Sequence, residues 1–184
     1  MNTNTAYVQD EVTLQTVDDC LRCLVECYQL GGSQLPGFMG LGQTVYFQLL
    51  ESVGCQPVVI GLIRRQKENL LAELITLRQM EQEELQRWLH QYAINDRAEL
   101  VAKIIATASL GFNHLWQDLG LESRQQLGDI MRLCFPTLAA MNNQHMRWKK
   151  FFYRQQCMAG GGFVCRSPSC EQCIERSNCF APEE

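Results

Sequence analysis

The sequence lacks the features that mark several large functional classes. It has no uninterrupted apolar run of about eighteen residues, the length a helix needs to cross a bilayer. Its first thirty residues have no basic start leading into an apolar stretch; Asp10, Glu11, Asp18, Asp19 and Glu26 spread acidic charge through them instead. A soluble, cytoplasmic protein is expected. There is no excess of positive charge either: the formal net charge is −4, so no global attraction to a nucleic-acid backbone exists. Period-two strand patterns are scarce, and no internal repeat or low-complexity tract is present. Nothing resembles a nucleophile elbow, a phosphate-binding loop or a radical-enzyme cysteine motif. An enzyme with catalytic turnover is the least favoured reading.

What is abundant is cysteine. Ten cysteines in a chain expected in a reducing compartment favour metal binding over structural disulfides. The 46% hydrophobic content and 184 residues suit one globular domain, and the pattern is helical throughout. Residues 13–30 place Leu14, Val17, Leu21, Leu24 and Tyr28 at helical intervals before Gly31 and Gly32 end the run. A loop with Pro36 and five glycines spans Gly31 to Gly42, a short helix is expected over Gln43 to Val53, and one long helix over Leu62 to Tyr92. Asp96 to Glu99 has the form of a capping box opening a helix to Leu119, where Gly120 stops it. Ser123 to Gln126 is the next cap, Pro136 ends that element, and a last helix covers Met146 to Cys157. The predicted organisation is therefore an all-α helical domain over residues 1–158 and a cysteine-rich metal-binding tail over 159–184, packed on it and entered through Ala159-Gly-Gly-Gly162.

In that tail, Cys165, Cys170, Cys173 and Cys179 give the spacing C-x4-C-x2-C-x5-C. Four thiols this close, with Pro168 and small polar residues between them, can fold around a metal group. Zinc sites often pair two C-x2-C knuckles, whereas one x2 pair is present here, so the spacing leans towards iron–sulfur. It does not decide between three-iron four-sulfur and four-iron four-sulfur clusters, and a four-cysteine zinc site that pins the tail stays open, as does electron transfer. Cys20, Cys23 and Cys27 lie along one helical stripe. A core-facing role suits them better than a second metal, because three positions on a continuous helix converge poorly on one ion. Cys134 reads as a small buried core residue.

The segment Met146-Arg-Trp-Lys-Lys-Phe-Phe-Tyr-Arg-Gln-Gln-Cys157, followed by the four tail cysteines, resembles the NifQ family of nitrogen fixation. Phe112-Asn-His-Leu-Trp-Gln-Asp-Leu-Gly-Leu121 and Cys134-Phe-Pro136 carry the likeness further, from about Ala106 to Phe180, with less before that. The resemblance implies an iron–sulfur protein that takes up molybdenum, holds it in a molybdenum–iron–sulfur cluster and donates it for assembly of the nitrogenase iron–molybdenum cofactor. It implies Cys165, Cys170, Cys173 and Cys179 as ligands. The implied partners are the cofactor-assembly scaffold and the nitrogenase iron protein, with molybdate as the source, no nucleic acid and no membrane.

Beside the ligands, Cys157, His114 and His145 are candidates to meet molybdenum or to support its ligands. His114 stands four residues before Asp118 on an expected helix, where the carboxylate would orient the imidazole. Arg147, Lys149, Lys150 and Arg154 put positive charge on the helix that feeds the tail, with Arg147, Lys150 and Arg154 sharing a face; they are candidates to attract an oxyanion or an acidic partner. A solvated amphipathic helix is the plainer reading of the same pattern.

Overall fold

The computed structural model describes residues 14–158 and Ser177. Among the described residues the chain is all-helical, with nine α-helices, one 3-10 turn and no strand. None of these helices is long and apolar enough to cross a membrane.

Helix α1 (Val17–Gln29) lies at the centre, in contact with α2 (Gln43–Val53), α5 (Asp96–Ser109), α6 (Leu115–Leu119) and α7 (Arg124–Cys134). Its N-terminus is closed reciprocally. The Thr16 hydroxyl accepts from Asp19 N–H at 3.1 Å, and the Asp19 carboxylate accepts from Thr16 N–H at 2.8 Å. At its other end Gly31 (φ +85°) turns the chain out of the helix. Arg64 of α3 (Leu62–Leu77) then donates to the Gln29 carbonyl at 2.8 Å and to the Tyr28 carbonyl, with its guanidinium 4.7 Å over the Tyr28 ring. The positive charge meets carbonyls at the C-terminal end of α1, and the ring adds a cation–π contact.

The boundaries of α2 match the sequence expectation, because Gly42 (φ +86°) and Gly54 (φ +72°) punctuate it locally. Three other expectations need correction. The single helix expected over Leu62 to Tyr92 is two, α3 and α4 (Gln79–His90), broken at Arg78 (φ −118°). Arg78 grips Glu81 with two nitrogens, at 2.7 and 2.6 Å, and donates to the Leu110 carbonyl at 2.9 Å, so the joint is fixed by a contact made far along the chain. Helix α5 starts one residue earlier than the expected capping box: the cap is Asn95 rather than Asp96, and its side-chain oxygen accepts from Ala98 N–H at 2.9 Å. It also ends at Ser109 rather than near Leu119, and α6 is a separate short helix. Pro136 ends α7 as expected, and it also opens a further helix, α8 (Pro136–Met141), from its first turn, where a missing N–H costs nothing.

Helix α9 (Trp148–Met158) carries the chain to the edge of the described region. Trp148, Phe151 and Phe152 are buried on it. Trp148 and Phe152 stand 5.8 Å apart, and Trp88 of α4 meets Phe152 at 6.0 Å. Full burial of a side chain such as Phe152 stabilises by roughly 1.5–3 kcal/mol, so this aromatic cluster fixes α9 against the helical body. Gly120 (φ +79°) seats the end of α6 beneath the α1–α2 loop: a Cβ there would lie 2.7 Å from Ser33 N.

Candidate metal centre

The four tail cysteines, Cys165, Cys170, Cys173 and Cys179, lie outside the described residues. The platform that leads to them is described, and its organisation follows from α9. Asn142 organises the approach by accepting from Met146 N–H and donating to the Met146 carbonyl, both at 2.9 Å. Arg124 of α7 donates to the carbonyls of His145 and Met146 at 2.5 and 3.1 Å. His145 itself is exposed and holds a positive φ of 54°, so its main chain forms the corner. The helix consequently begins at Trp148, two residues after the expected start.

Of the four basic residues, Lys149 has a structural environment. Its ammonium pairs with Asp118 of α6 and donates to the Gly111 carbonyl at 2.9 Å. The Asp118 carboxylate is fully buried and also accepts from Asn113 N–H at 3.2 Å and from the Asn113 side chain at 2.9 Å. Gly111 is needed beside it, since a Cβ would fall 2.4 Å from Asp118 Oδ2. This approach explains why α5 stops early. Arg147 and Arg154 are half-buried and Lys150 is exposed. Arg147 just precedes the helix, and its carbonyl accepts from Phe151 N–H at 2.8 Å.

His114 is half-buried and caps the N-terminus of α6 instead of standing inside a helix, which corrects the helical basis of its expected pairing with Asp118. Its N–H donates to Gln117 Oε1 at 3.1 Å.

Further along α9, the Tyr153 hydroxyl donates to Glu81 Oε1 at 2.7 Å, and Arg78 holds the same carboxylate. Burial works to raise Glu81, but Arg78 and the Tyr153 hydroxyl outweigh it and leave the group below the ordinary carboxylate value. Burial, reinforced by the Glu81 charge, pushes the Tyr153 hydroxyl up. The last turn holds Gln156, which is 4% exposed, and Cys157, a half-buried free thiol.

The N-terminal cysteine stripe faces inward as expected. Cys20 and Cys134 are both fully buried, and the neighbouring Cys20 thiol, with burial, raises that of Cys134. Cys23 and Cys27 interact along the same helix, and Gln126 Nε2 donates to Cys23 Sγ at 3.5 Å. The interaction with Cys27, followed by burial, raises the Cys23 thiol, while the same interaction lowers Cys27. Among the described residues no group of three or more His, Cys, Asp or Glu side chains is placed to hold a metal ion.

Two features escaped the sequence reading. The Lys149–Asp118 pair had one trace there, an acid set between Leu115 and Leu119. Gln156 had none, since an uncharged polar residue in a last helical turn is ordinary until its burial is known.

The NifQ family model matches residues 20–181, a span that contains Cys157 and all four tail cysteines. The chain is 44% identical over 163 residues to Protein NifQ of Klebsiella pneumoniae, covering 88% of this chain and 97% of that protein. It is 41% identical over 170 residues to Protein NifQ of Azotobacter vinelandii, covering 89% and 87% respectively. A Rhodobacter capsulatus Protein NifQ is 50% identical over 86 residues, 47% of this chain and 48% of that protein. The likeness thus begins much earlier than Ala106, where the sequence motifs alone placed it. No solved structure matches the chain.

Proposed function

We propose a function from one premise, that the chain belongs to the NifQ family: it is an iron–sulfur protein of nitrogen fixation that captures molybdenum and donates it for assembly of the nitrogenase iron–molybdenum cofactor. The observation that carries this reading is the set of four cysteines, spaced C-x4-C-x2-C-x5-C, inside the family-matched span. Four thiolates are a donor set suited to an iron–sulfur cluster, and Cys165, Cys170, Cys173 and Cys179 would hold it. Such a cluster, when bound, supplies soft sulfide ligands to reduced molybdenum.

The remaining parts fall to this chain's own side chains. Molybdate is an oxyanion, so its approach is favoured by the positive charge of Arg147, Lys150 and Arg154 beside the tail. Lys149 is engaged with Asp118, and its contribution is to fix α9 on α6. Cys157, two positions from the glycine joint, is the thiol best placed along the chain to add a soft ligand to the cargo. His114 and His145 are weaker candidates: one caps α6 and the other forms the corner before α9. The protein acts as a carrier, and its proposed partners are the cofactor-assembly scaffold and the nitrogenase iron protein.

Anaerobic purification with iron, sulfide and molybdenum analysis tests this function. Iron with sulfide, and molybdenum retained after addition of molybdate and reductant, is the expected result. Zinc without iron would favour a structural zinc module, and iron with sulfide but no molybdenum uptake would favour electron transfer.

A further inference from the structure

Helix α3 turns its apolar face outward. Glu68 is its one buried residue, paired with Arg64 at 2.9 Å, and this charged edge lies against Gly37 of the 3-10 turn Gly37–Gly40. Leu62, Ile63, Leu70, Leu74 and Leu77 are instead 45–84% exposed. At about 3.6 residues per turn these five share an arc of roughly 120°, as wide as the apolar stripe that a helix ordinarily turns to a core.

Single exposed leucines are common, but a contiguous row of them is not. Together the five residues expose on the order of 600 Å², the upper end of the largest patch a monomer usually shows, about 300–600 Å². That is most of the roughly 800 Å² that each partner brings to a stable protein interface.

The stripe also matches itself when reversed. Ile63 and Leu77 stand seven positions on either side of Leu70. Two antiparallel copies of α3 related by a two-fold at Leu70 therefore set Ile63 of one protomer against Leu77 of its partner, twice, and Leu70 against itself. Lys67 and Glu73 flank the stripe, three positions on either side of Leu70. Reversal brings Lys67 of one protomer level with Glu73 of its partner and holds the two Lys67 residues about 9 Å apart along the axis, whereas a parallel pairing would set like charges level with each other.

We propose that α3 is the interface of a homodimer, in which a second copy of this chain lies antiparallel on the Ile63, Leu70 and Leu77 stripe. The pairing uses the helical body alone and does not depend on which metal the tail holds. Its seam ends at Leu77, beside Arg78, whose partner Glu81 accepts from Tyr153 of α9. The dimer thus braces the joint on which the helix leading to the tail is anchored.

Sedimentation velocity of the full-length protein, kept anaerobic with its thiols reduced, is the test. Between about 1 and 100 μM, where interfaces of this size associate, wild type is expected to pass from the 21.1 kDa chain to a species of twice that mass. Leu70→Glu and Leu70→Lys should each dimerise at least about tenfold more weakly and keep the helical circular dichroism of wild type, because position 70 is exposed. Mixed in equal amounts, the two should restore a dimer, since residue 70 faces itself across the two-fold. Ile63→Glu should weaken the dimer likewise, and Leu30→Glu, at an 87% exposed position at the end of α1, should dimerise as wild type does. A wild type that stays monomeric throughout this range would overturn the proposal and leave the stripe to a different protein. A dimer that survives Leu70→Glu, or failure of the two Leu70 variants to pair on mixing, would overturn it as well.

Discussion

Lys149 of α9 pairs with Asp118 of α6 across a site where the carboxylate is fully buried and the lysine side chain only 16% exposed. The pair joins the helix that leads to the cysteine tail to the body of the protein. Its main physical consequence is a strong asymmetry between keeping both charges and keeping one.

Lys149→Met is therefore expected to destabilise the protein by about 3–5 kcal/mol, the usual consequence of stranding a buried charge. Adding Asp118→Asn should recover a substantial part. Urea unfolding of the two single variants and the double variant measures the coupling. Additive losses would mean that the pair has no special role.

Gly120→Ala places a Cβ 2.7 Å from Ser33 N in a backbone with φ of +79°. A loss of roughly 1–3 kcal/mol is expected from strain alone, read as a lower midpoint in chemical denaturation. Gly128→Ala lies in the interior of α7 and meets only Arg132 Nη1, at 3.3 Å. It is the control and should be neutral or stabilising.

The Arg78–Glu81–Tyr153 cluster gives stability a pH dependence on both sides. Glu81 is held below its ordinary value of 4.5 in the folded protein. Its contribution is present above that value and is lost as pH falls through the lower folded value. Tyr153 is raised above its ordinary value of 10.0, so its contribution is present below that value and fades as pH rises towards the folded one. Glu81→Gln should flatten the acid limb of the unfolding midpoint against pH, and Tyr153→Phe the alkaline limb. Unaltered limbs in both variants would contradict the cluster's role.

The helices were legible from sequence where their ends are local. Gly42 and Gly54 bound α2 without help from the rest of the chain, and Gly31 does the same for the end of α1. Breaks imposed from a distance were not legible. The α3–α4 joint depends on Arg78 reaching the Leu110 carbonyl, and the end of α5 on Asp118 approaching Gly111. The pairing expected between His114 and Asp118 assumed an unbroken helix, so its geometric basis went with that helix. The candidate ligands were legible because four closely spaced cysteines are a chemical pattern needing no tertiary contact. Lys149 and Gln156 needed the fold, since charge and polarity take on meaning only once burial is known.

The N-terminal and tail cysteines are expected to differ in role. Cys23 is nearly buried and neighbours Cys27 and Gln126. Cys23→Ala is expected to leave bound iron unchanged, whereas Cys170→Ala should remove most of it. Equal losses in iron analysis would make the N-terminal stripe a ligand set.

The central claim is that the tail cysteines hold an iron–sulfur cluster able to take up molybdenum. The most direct measurement is metal and sulfide analysis, with electron paramagnetic resonance, of protein purified anaerobically and then treated with molybdate and reductant. The account predicts iron and acid-labile sulfide in comparable amounts, and retained molybdenum that depends on Cys165, Cys170, Cys173 and Cys179. Stoichiometric zinc with neither iron nor sulfide would contradict it.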